Sequence, residues 1–501
     1  MTLASKITFH ALFWGLHIAL FAVGFVQQRA DDELRLLNQI GTSVLVSRAS
    51  ALVLSFDCAA LLLGVCRNVI RVMRQSSLNR WIPFDDNIYF HRWTAYSMLA
   101  FTFIHVNGHV FNFYAIEDVA RIQAVLPFKA WQLHYTTYAG ITGHVMLLAC
   151  FLIYTSAKRQ VKAKNFELFW YTHHLFIVFY IALFLHSFGC FVKSGQGKCK
   201  GMNSNYYTVP AFSLYVVERL VREYRSWNIT QITTAIRHPN NTIEIRFDKP
   251  DFLYQPGQYL FLNVPEISIF QWHPLTISSC PEEGFISIHI RIVGDWTRKL
   301  AELVDAKGAK EGKLPGLRVD GPYGAPSEDV YKYEAAILVG AGIGVTPAAS
   351  ILKSIWYRYY RKSPMPLKKV YFYWINRDTE SFAWFQSLLA SLEETVSTRQ
   401  LEIFSYITAQ QALGDIHNII LNDDQAFDPV TELKTRTNYG RPEWTSIFQN
   451  IRSKTTFRGR KDVFKIGVFF CGPKGLGKSL AKVCHDTSDD KIQFVFHKEH
   501  F

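Results

Sequence analysis

One stretch of this sequence decides its fold: from His91 to His105 it reads HRWTAYSMLAFTFIH, an apolar run with a histidine at each end. A second run, from His173 to His186, reads HHLFIVFYIALFLH and repeats the arrangement. At about 1.5 Å per residue, each histidine pair spans roughly 20 Å of helix, which fits within a bilayer core. Two such helices side by side would bring His91 opposite His173 and His105 opposite His186. Because imidazole is a common axial ligand for iron, and an unpartnered polar ring is costly in lipid, the spacing predicts two stacked metal centres.

Other histidines compete for these positions, but their spacing or direction fits less well. His109 lies one turn beyond His105, and its distance of 18 residues from His91 matches the second helix poorly. His174 is adjacent to His173 and would point about 100° away from it. The other histidines of the apolar half have no partner at a matching depth and are predicted to be structural: His10, His17, His134 and His144.

Six apolar spans are predicted in the first half of the 501-residue chain, at about 8–26, 44–66, 91–112, 137–157, 168–188 and 206–221. The net charge of +13 follows largely from basic clusters beside these spans, which indicates a membrane protein and argues against nucleic-acid binding. These clusters are Arg67, Arg71, Arg74 and Arg80, then Lys158, Arg159, Lys162 and Lys164, then Arg219, Arg222 and Arg225. Basic loops are usually cytoplasmic, so an even number of spans places both termini in the cytoplasm. His91 and His173 would then form the inner pair.

Some features of the apolar half leave alternatives open. The first span resembles a signal peptide, but it lacks a small-x-small cleavage site, so a retained helix is predicted. Cys190 and Cys199 lie in a loop on the side opposite the basic clusters, where they could form a disulfide or remain thiols. Arg48, near the outer end of the second span, could snorkel to the interface. Alternatively, it could face the outer metal centre and pair with a haem propionate or an anionic product.

The chain divides into three predicted domains. A helical membrane bundle over 1–225 is followed by short alternating strands with glycine turns, which predict an antiparallel barrel over 226–326. From 327 to 501, apolar strands alternate with glycine loops and helices, which predicts a doubly wound α/β domain. A stretch near 410–435 is too long for an ordinary connection and is predicted to be a surface insertion. The α/β strands are predicted at 335–339, 369–374, 400–406 and 465–470.

The first glycine loop of the α/β domain indicates a dinucleotide site. It reads GAGIGVTP, follows an apolar strand and opens a helix, so its backbone amides and the helix N-terminus could bind a pyrophosphate. The candidate residues are Gly340, Gly342, Gly344, Thr346 and Pro347. After the next strand, Arg377 stands near the position where an acidic residue would bind a ribose hydroxyl. A guanidinium suits a 2′-phosphate, which favours NADPH, and Arg441 is a second candidate for that phosphate.

A second glycine-rich stretch imitates an ATPase motif. From Gly472 to Ser479 it reads GPKGLGKS, which satisfies the pattern of a phosphate-binding loop. However, the stretch ends the α/β domain instead of opening it, and Asp378 is a poor candidate for binding magnesium. ATP hydrolysis is therefore not predicted.

Several motifs of the second half resemble those of the superoxide-generating NADPH oxidases. The motifs similar to that family's flavin site are HPLTISS at 273–279, HIRIVGDWT at 289–297 and DGPYG at 320–324. Those that resemble its NADPH site and aromatic C-terminus are GAGIGVTP at 340–347, YGRPEW at 439–444, CGP at 471–473 and FHKEHF at 496–501. The resemblance covers nearly the whole chain and points to the phagocyte-type catalytic subunit or its short fungal form.

The resemblance implies a role for each matching residue. His91 and His173 would hold an inner haem b, and His105 and His186 an outer one. FAD would be bound by His273, Pro274, Thr276, His289, Ile290, Arg291 and Thr297. The positions nearest the chemistry would be Arg48 beside oxygen reduction, Cys471 near hydride transfer, and Phe501, stacked on the flavin until nicotinamide displaces it. Gly472 would belong to the NADPH site.

The resemblance also implies a fold and a function. The fold would be a six-span transmembrane haem bundle followed by a ferredoxin-reductase-like module, with an FAD barrel and an NADPH domain. Electrons would pass from cytoplasmic NADPH through FAD and two haems to oxygen on the opposite face of a plasma membrane or endomembrane, producing superoxide. The implied partners are a cytosolic activator, a Rac-type GTPase and a small membrane subunit. A ferric-chelate reductase is the main alternative; a P-loop-driven transporter and a proton conductor are further ones.

Overall fold

The structure is a computed structural model that describes residues 3–32, 41–80, 82, 84–123, 129–189, 204–310, 314–409, 426–455 and 463–499. It consists of two compact units, Met1–Leu220 and Val221–Phe501. Cys190, Cys199 and Phe501 lie outside the described residues, as does most of the predicted insertion near 410–435.

The first unit is helical, and a helix occupies each of the six predicted spans. Its helices are α1 (Leu3–Ala30), α2 (Thr42–Leu63), α3 (Arg67–Gln75), α4 (Asn87–Gln123), α5 (Ala130–Thr136), α6 (Tyr138–Ala157), α7 (Arg159–Lys164), α8 (Phe166–His173), α9 (Phe176–Ser187) and α10 (Ser204–Arg225). Local signals set some of the boundaries: α6, for example, begins where the hydroxyl of Thr137 accepts a hydrogen bond from the N–H of Gly140 at 3.0 Å.

Four helical segments among the described residues are long and apolar enough to cross a membrane: Ile7–Ala30, Thr42–Leu63, Tyr138–Ala157 and Phe166–Ser187. The helices at the third and sixth predicted spans, α4 and α10, are more polar. Helix α4 carries His105, Asn107, His109 and Asn112 within two turns. Polar residues of this kind are tolerated in a membrane when they face the interior of a bundle or bind a cofactor.

The fifth predicted span is divided into two helices. Helix α8 ends at His173 and α9 begins at Phe176, with a turn between them. The N–H of His174 bonds to the carbonyl of Tyr171 at 3.2 Å, and the N–H of Ile177 bonds to the carbonyl of His174 at 3.0 Å. These i to i+3 bonds tighten the helix locally. The sequence predicts one continuous span here, and the structure places a tight turn directly after His173.

The helices of the first unit pack through small and aromatic residues. A Cβ atom on Gly108 of α4 would lie 2.8 Å from Cβ of Ser47 on α2, so the glycine allows a close helix crossing. One buried cluster joins α2, α4, α6 and α9 and contains Cys58, Leu62, Met98, Ala149, Cys150, Phe179 and Tyr180. Large apolar side chains elsewhere are exposed, as expected for helices that face lipid.

The second unit begins with the predicted barrel. Its strands are β1 (Thr230–His238), β2 (Thr242–Phe247), β3 (Tyr259–Asn263), β4 (His273–Thr276), β5 (Ile286–Arg291) and β6 (Gly316–Tyr323), with α11 (Asp295–Lys310) between β5 and β6. The strands are antiparallel in the order β4-β3-β6-β1-β2-β5, and a bridge between Ile277 and Ile288 connects the two ends. Alternate residues, such as Ile243 and Ile288, fill the interior.

A parallel six-stranded sheet follows, in the order β10-β9-β8-β7-β11-β12. Its elements are β7 (Ala335–Ala341), α12 (Thr346–Tyr360), β8 (Lys369–Asn376), α13 (Gln386–Thr395), β9 (Leu401–Ile407), β10 (Asn438–Tyr439), α14 (Trp444–Lys454), β11 (Phe464–Cys471), α15 (Lys474–Thr487) and β12 (Ile492–Lys498). Separate hydrophobic clusters cover the two faces of this sheet. The prediction of a helical membrane region, an antiparallel barrel and a doubly wound domain is confirmed. The structure adds β10 and β12, and β12 includes part of the aromatic C-terminus.

Candidate functional site

Two layers of facing histidines lie in the helical unit. The rings of His91 on α4 and His173 on α8 have centroids 6.3 Å apart. The rings of His105 on α4 and His186 on α9 have centroids 6.4 Å apart. The structure therefore brings together the same two pairs that the sequence spacing predicts.

The ring separations suit a metal held between each pair. An imidazole nitrogen lies about 2.0–2.1 Å from a metal that it binds, and the ring centre lies about 1.1 Å further back, so two rings on opposite sides of one metal have centres roughly 6.3 Å apart. Both ring separations are within 0.1 Å of that value. Each histidine pair is therefore spaced to hold one metal, as a bis-histidine haem requires.

Hydrogen bonds at Nδ1, the ring nitrogen that would not bind the metal, also support metal binding by these histidines. Nδ1 of His91 donates to the carbonyl of Leu61 at 3.2 Å, and Nδ1 of His105 donates to the carbonyl of Ser47 at 2.8 Å. These bonds leave the lone pair on Nε2, the arrangement usual for a histidine that binds a metal. Nδ1 of His186 bonds to the hydroxyl of Thr142 at 2.9 Å.

His173 completes the inner layer. Its Nδ1 is buried without a hydrogen-bond partner among the described residues. His173 therefore differs from His91 and His105, whose Nδ1 atoms are oriented by backbone carbonyls.

The competing histidines have other neighbours. The ring of His109 lies 4.6 Å from the ring of His105, on the same helix. Nδ1 of His174 donates to the carbonyl of Trp170 at 2.7 Å. His17, predicted only as structural, forms a fully buried pair with Asp57 at 2.8 Å. Asp57 is not among the residues predicted from the sequence, although a carboxylate within an apolar helix is itself a signal that a partner is needed.

Arg48 lies beside the outer layer. It follows Ser47, whose carbonyl accepts the bond from His105, and its Nη1 donates to Oε1 of Gln28 at 3.3 Å. The side chain is half-buried. The backbone of Arg48 is therefore next to the residue that orients the outer ligand His105.

The predicted flavin residues cluster around the end of the barrel near β4 and β5. The ring of His273 stacks on Trp296 with centroids 3.9 Å apart, and its Nε2 is buried without a partner among the described residues. Burial lowers the pKa of His273 to about 4, so the ring is neutral at physiological pH. Pro274 is exposed and Thr276 is half-buried, both on β4.

The residues of the second flavin motif, HIRIVGDWT, differ from one another in burial. Ile290 belongs to the barrel core, so only its backbone could contact a ligand. Arg291 is exposed. The hydroxyl of Thr297 accepts hydrogen bonds from the N–H groups of Val293 and Gly294, both at 3.0 Å, and thereby fixes the turn that opens α11.

The ring of His289 lies on the outer face of the barrel. Its Nδ1 bonds to the hydroxyl of Ser278 at 2.8 Å, and its ring centroid lies 4.6 Å from that of Phe385. His238 and Glu244 are adjacent to it. Burial raises the pKa of Glu244, but hydrogen bonds from His238 and Arg246 outweigh this effect and hold it at about 2.

The DGPYG motif anchors the last turn of α10. The buried carboxylate of Asp320 accepts hydrogen bonds from Arg222 at 2.7 Å and from Arg225 at 2.8 Å. The hydroxyl of Tyr323 donates to the same carboxylate at 2.7 Å. Two arginines that appear in the sequence only as part of a basic cluster therefore neutralise a buried acid.

The first glycine loop comes very close to the end of β11. A Cβ atom on Gly344 would lie 2.4 Å from the carbonyl oxygen of Cys471, and one on Gly340 would lie 2.8 Å from Cα of Val345. Gly342 has a φ of 56°, which favours glycine. The hydroxyl of Thr346 donates to the carbonyl of Ile343 at 3.2 Å.

Helix α12 begins at Thr346, and Pro347 occupies its first turn. A proline there costs nothing, because the first N–H groups of a helix have no partner within the helix. The N–H of Thr346 bonds to the carbonyl of Ile343, so what this end of α12 offers a phosphate is mainly the helix dipole beside the glycine loop.

Cys471 ends β11 and is paired in register with Gly340. Burial raises the pKa of its thiol to about 12, so the sulfur is neutral. Gly472 has a φ of 158°, and a Cβ atom there would lie 2.8 Å from Cβ of Ala341. Both residues therefore belong to the same tight approach of β11 to the glycine loop.

Arg377 and Arg441 lie at the carboxyl edge of the parallel sheet. Arg377 follows β8, and Arg441 follows β10 by two residues. Both side chains are exposed, and within the described ranges neither has an ion-pair partner. The structure thus leaves two guanidinium groups available at the edge where doubly wound domains bind ligands.

The ATPase-like stretch does not form a phosphate-binding loop. Helix α15 begins at Lys474, so Gly475, Gly477 and Lys478 are helical. A Cβ atom on Gly477 would lie 2.8 Å from the ring of Phe470, which explains the glycine by packing. The GKS part of this stretch is therefore inside a helix and not in a loop that follows β11.

Family models cover most of the chain. Three family models match: "Ferric reductase like transmembrane component" at residues 51–184, "FAD-binding domain" at 226–327 and "Ferric reductase NAD binding domain" at 333–485. Among solved structures, flavohemoglobin from Malassezia yamatoensis is similar, at 14% identity and a TM-score of 0.38, over 93% of this chain and 99% of that one.

Curated relatives match over nearly the whole chain. Mouse NADPH oxidase 1 is 38% identical, with 97% of this chain and 92% of the relative covered. A superoxide-generating NADPH oxidase heavy chain of Dictyostelium discoideum is 41% identical, with 92% and 90% covered. Human NADPH oxidase 3 is 36% identical, with 99% and 98% covered. Together with the paired histidines and the two-domain second unit, these relatives show that the chain belongs to the superoxide-generating NADPH oxidase family of transmembrane flavoproteins.

Proposed function

We propose that this chain carries electrons from cytoplasmic NADPH through FAD and two bis-histidine haems to molecular oxygen on the opposite face of the membrane, forming superoxide. The observation that carries the proposal is the pair of histidine layers with ring separations of 6.3 and 6.4 Å in the helical unit. Each separation fits one metal held between two imidazoles.

The histidines of α4, α8 and α9 would hold the haems. His91 and His173 would be the inner ligands, and His105 and His186 the outer ones. The carbonyls of Leu61 and Ser47 orient two of these rings, so those rings need little reorganisation to bind. When bound, flavin accepts the hydride of NADPH and releases single electrons, which are the form that a haem accepts.

The barrel would bind FAD mainly through His273, Pro274 and Thr276 on β4, with Arg291 and Thr297 after β5. The neutral His273 ring, stacked on Trp296, offers an unpaired nitrogen. The family resemblance adds Phe501 as an aromatic cover for the flavin. The ring of His289 is engaged on the outer face of the barrel, so β5 would contribute through its backbone and Arg291.

The parallel sheet would bind NADPH along its carboxyl edge. The glycine loop and the N-terminus of α12 would hold the pyrophosphate, while Arg377 and Arg441 would hold the 2′-phosphate. Cys471 would lie near the nicotinamide, where its neutral thiol adds no charge.

Oxygen would be reduced beside the outer histidine pair. Because two histidines would hold each haem, oxygen would be reduced beside the outer haem and not as a metal ligand. Arg48 follows Ser47, which orients His105, and its positive charge would attract the anionic product.

The chain is an integral membrane protein, and the basic clusters support a topology with both termini in the cytoplasm. By resemblance, a cytosolic activator, a Rac-type GTPase and a small membrane subunit would regulate it.

The choice of electron acceptor, oxygen or a ferric chelate, tests the proposed function. The purified chain, loaded with FAD and haem and supplied with NADPH, should contain two haems in its reduced-minus-oxidised spectrum and should form superoxide that a dismutase removes. Reduction of a ferric chelate without superoxide would support a ferric reductase instead. If neither acceptor is reduced even with activating partners present, the proposal is wrong.

Replacing both sheet-edge arginines should change coenzyme preference. In Arg377→Ala/Arg441→Ala, kcat/KM for NADPH should fall at least about tenfold, because each charge-assisted bond to the 2′-phosphate contributes roughly 1.5–3 kcal/mol. The value for NADH should not change. Steady-state reduction of ferricyanide with each coenzyme measures this.

A matched control is Arg399→Ala. Arg399 is also exposed but precedes β9, at the opposite edge of the sheet. Equal losses with NADPH and NADH in the double variant would show that the two arginines serve folding and not selectivity.

A further inference from the structure

Three side chains that the proposed electron path does not use meet on the outer face of the barrel. Glu244 of β2 lies directly opposite His289 of β5 in the antiparallel register. His238 ends the neighbouring strand β1. Since the adjacent residues Ile243 and Ile288 point into the core, Glu244 and His289 face outward together.

The distances among these side chains are those of a cation site. Nε2 of His238 lies 3.2 Å from Oε2 of Glu244, and Nε2 of His289 lies 3.8 Å from the same oxygen. The two imidazole centroids are 5.3 Å apart. Two imidazoles bound to one tetrahedral metal have ring centres about 5.1 Å apart, given metal–nitrogen bonds of about 2.0–2.1 Å.

Nε2 of His289 is buried without a hydrogen-bond partner among the described residues. On the other side of the ring, Nδ1 bonds to the hydroxyl of Ser278 at 2.8 Å, and that hydroxyl also lies within hydrogen-bond distance of the carbonyl and the hydroxyl of Ser287. When the hydroxyl of Ser278 donates to Ser287, it accepts from the Nδ1–H of His289, and the lone pair of the ring is on Nε2. In that tautomer Nε2 faces the carboxylate of Glu244, and both groups could bind a cation placed between them.

We propose that His238, Glu244 and His289 bind one divalent metal ion of the zinc class. Two neutral imidazoles and one carboxylate are a common ligand set for Zn²⁺, and the bond from Ser278 is the outer contact that orients such a histidine. Arg246 bonds to both oxygens of Glu244, with Nε 2.7 Å from Oε1 and Nη2 3.3 Å from Oε2, so Oε2 holds the longer bond and is the oxygen assigned to the metal. The side chain of His238 is 15% exposed and provides the route of entry. Binding displaces the proton that His238 shares with Glu244.

The site would fix a hairpin that contacts the NADPH-binding half. In the turn between β1 and β2, Nδ2 of Asn240 donates to Asp378 at 2.7 Å. Nε1 of Trp384 donates to the carbonyl of Pro239 at 3.0 Å. A metal that joins β1, β2 and β5 beside this turn would fix the position of the turn, and so the contacts between the barrel and the α/β domain.

The experiment measures zinc binding and does not depend on oxidase activity. The purified holoprotein is stripped with a chelator and titrated with Zn²⁺ against a competing indicator. We expect one zinc per chain, and X-ray absorption at the zinc edge should show two imidazoles and oxygen ligands at about 2.0–2.1 Å. His238→Ala should weaken zinc binding at least about tenfold, since the loss of a residue that only orients a metal ligand already lowers metal affinity by that factor.

Two further variants keep the test decisive. His485→Ala removes a histidine whose side chain is 78% exposed and should bind zinc as the unmodified chain does. His238→Gln retains a donor toward Glu244 and should lose zinc while keeping the same unfolding temperature without metal. The proposal is overturned if the unmodified chain takes up no zinc at micromolar concentration, if His238→Ala binds as tightly, or if the absorption spectrum lacks imidazole.

Discussion

The variant His105→Leu is expected to reduce its flavin with NADPH at the unmodified rate and yet form superoxide only at the background rate. The substitution removes one of two imidazoles whose centroids lie 6.4 Å apart, so the outer layer can no longer hold a metal from both sides. The reduced-minus-oxidised spectrum should fall from two haems per chain to one. Flavin reduction should persist, since His105 belongs to the helical unit and the flavin site to the other unit.

A matched control is available one helical turn away. His109→Leu makes the same chemical change on the same helix, at a ring 4.6 Å from that of His105. This variant should retain two haems and its superoxide output. Normal superoxide formation by His105→Leu, or loss of a haem in His109→Leu alone, would contradict the assignment of the outer ligands.

The second large effect is expected at the glycine loop. In Gly344→Ala the new methyl group would lie 2.4 Å from the carbonyl oxygen of Cys471, so the loop or the end of β11 must move. A displacement of about 1 Å between reacting groups can cost roughly 100-fold in rate. We therefore expect NADPH-driven flavin reduction, followed by stopped-flow absorbance, to fall by about that factor. Flavin reduced by light should still pass electrons to oxygen, because the path beyond the flavin is unchanged.

Gly475→Ala is the control for this substitution. A Cβ atom on Gly475 would have no neighbour within 4 Å, and the residue lies in helix α15, where alanine is favoured over glycine. Its rate with NADPH should equal that of the unmodified chain. A rate loss as large as that of Gly344→Ala would mean that the ATPase-like stretch, and not close packing at Gly344, governs coenzyme binding.

Much of the architecture could be predicted from local sequence patterns. Apolar runs, glycine turns and alternating strands depend on a few neighbouring residues, and the fold has the predicted helical, antiparallel and parallel parts. The histidine pairs could also be predicted, because two helices with matched spacing need only lie side by side. The break after His173 could not, since neither a glycine nor a proline marks it; the residues there are Thr172, His173, His174 and Leu175.

Other residues acquire their roles only through contacts between distant segments. Asp320 is neutralised by Arg222 and Arg225, which lie about one hundred positions earlier in the chain. Asp57 is paired with His17 across two helices. No local pattern marks these partners, because each pair depends on which elements the fold places in contact.

The sequence by itself determined that this chain has membrane helices with two histidine layers, a flavin barrel and a dinucleotide domain, because periodicity and motif spacing encode those features locally. Only the tertiary structure decided which histidine nitrogens have no hydrogen-bond partner and at which glycines a side chain would clash. It also decided that GPKGLGKS enters a helix instead of forming a phosphate-binding loop. It also brought His238, Glu244 and His289 together across three strands. Strand register and helix packing set these relations, and both follow from burying the core as a whole.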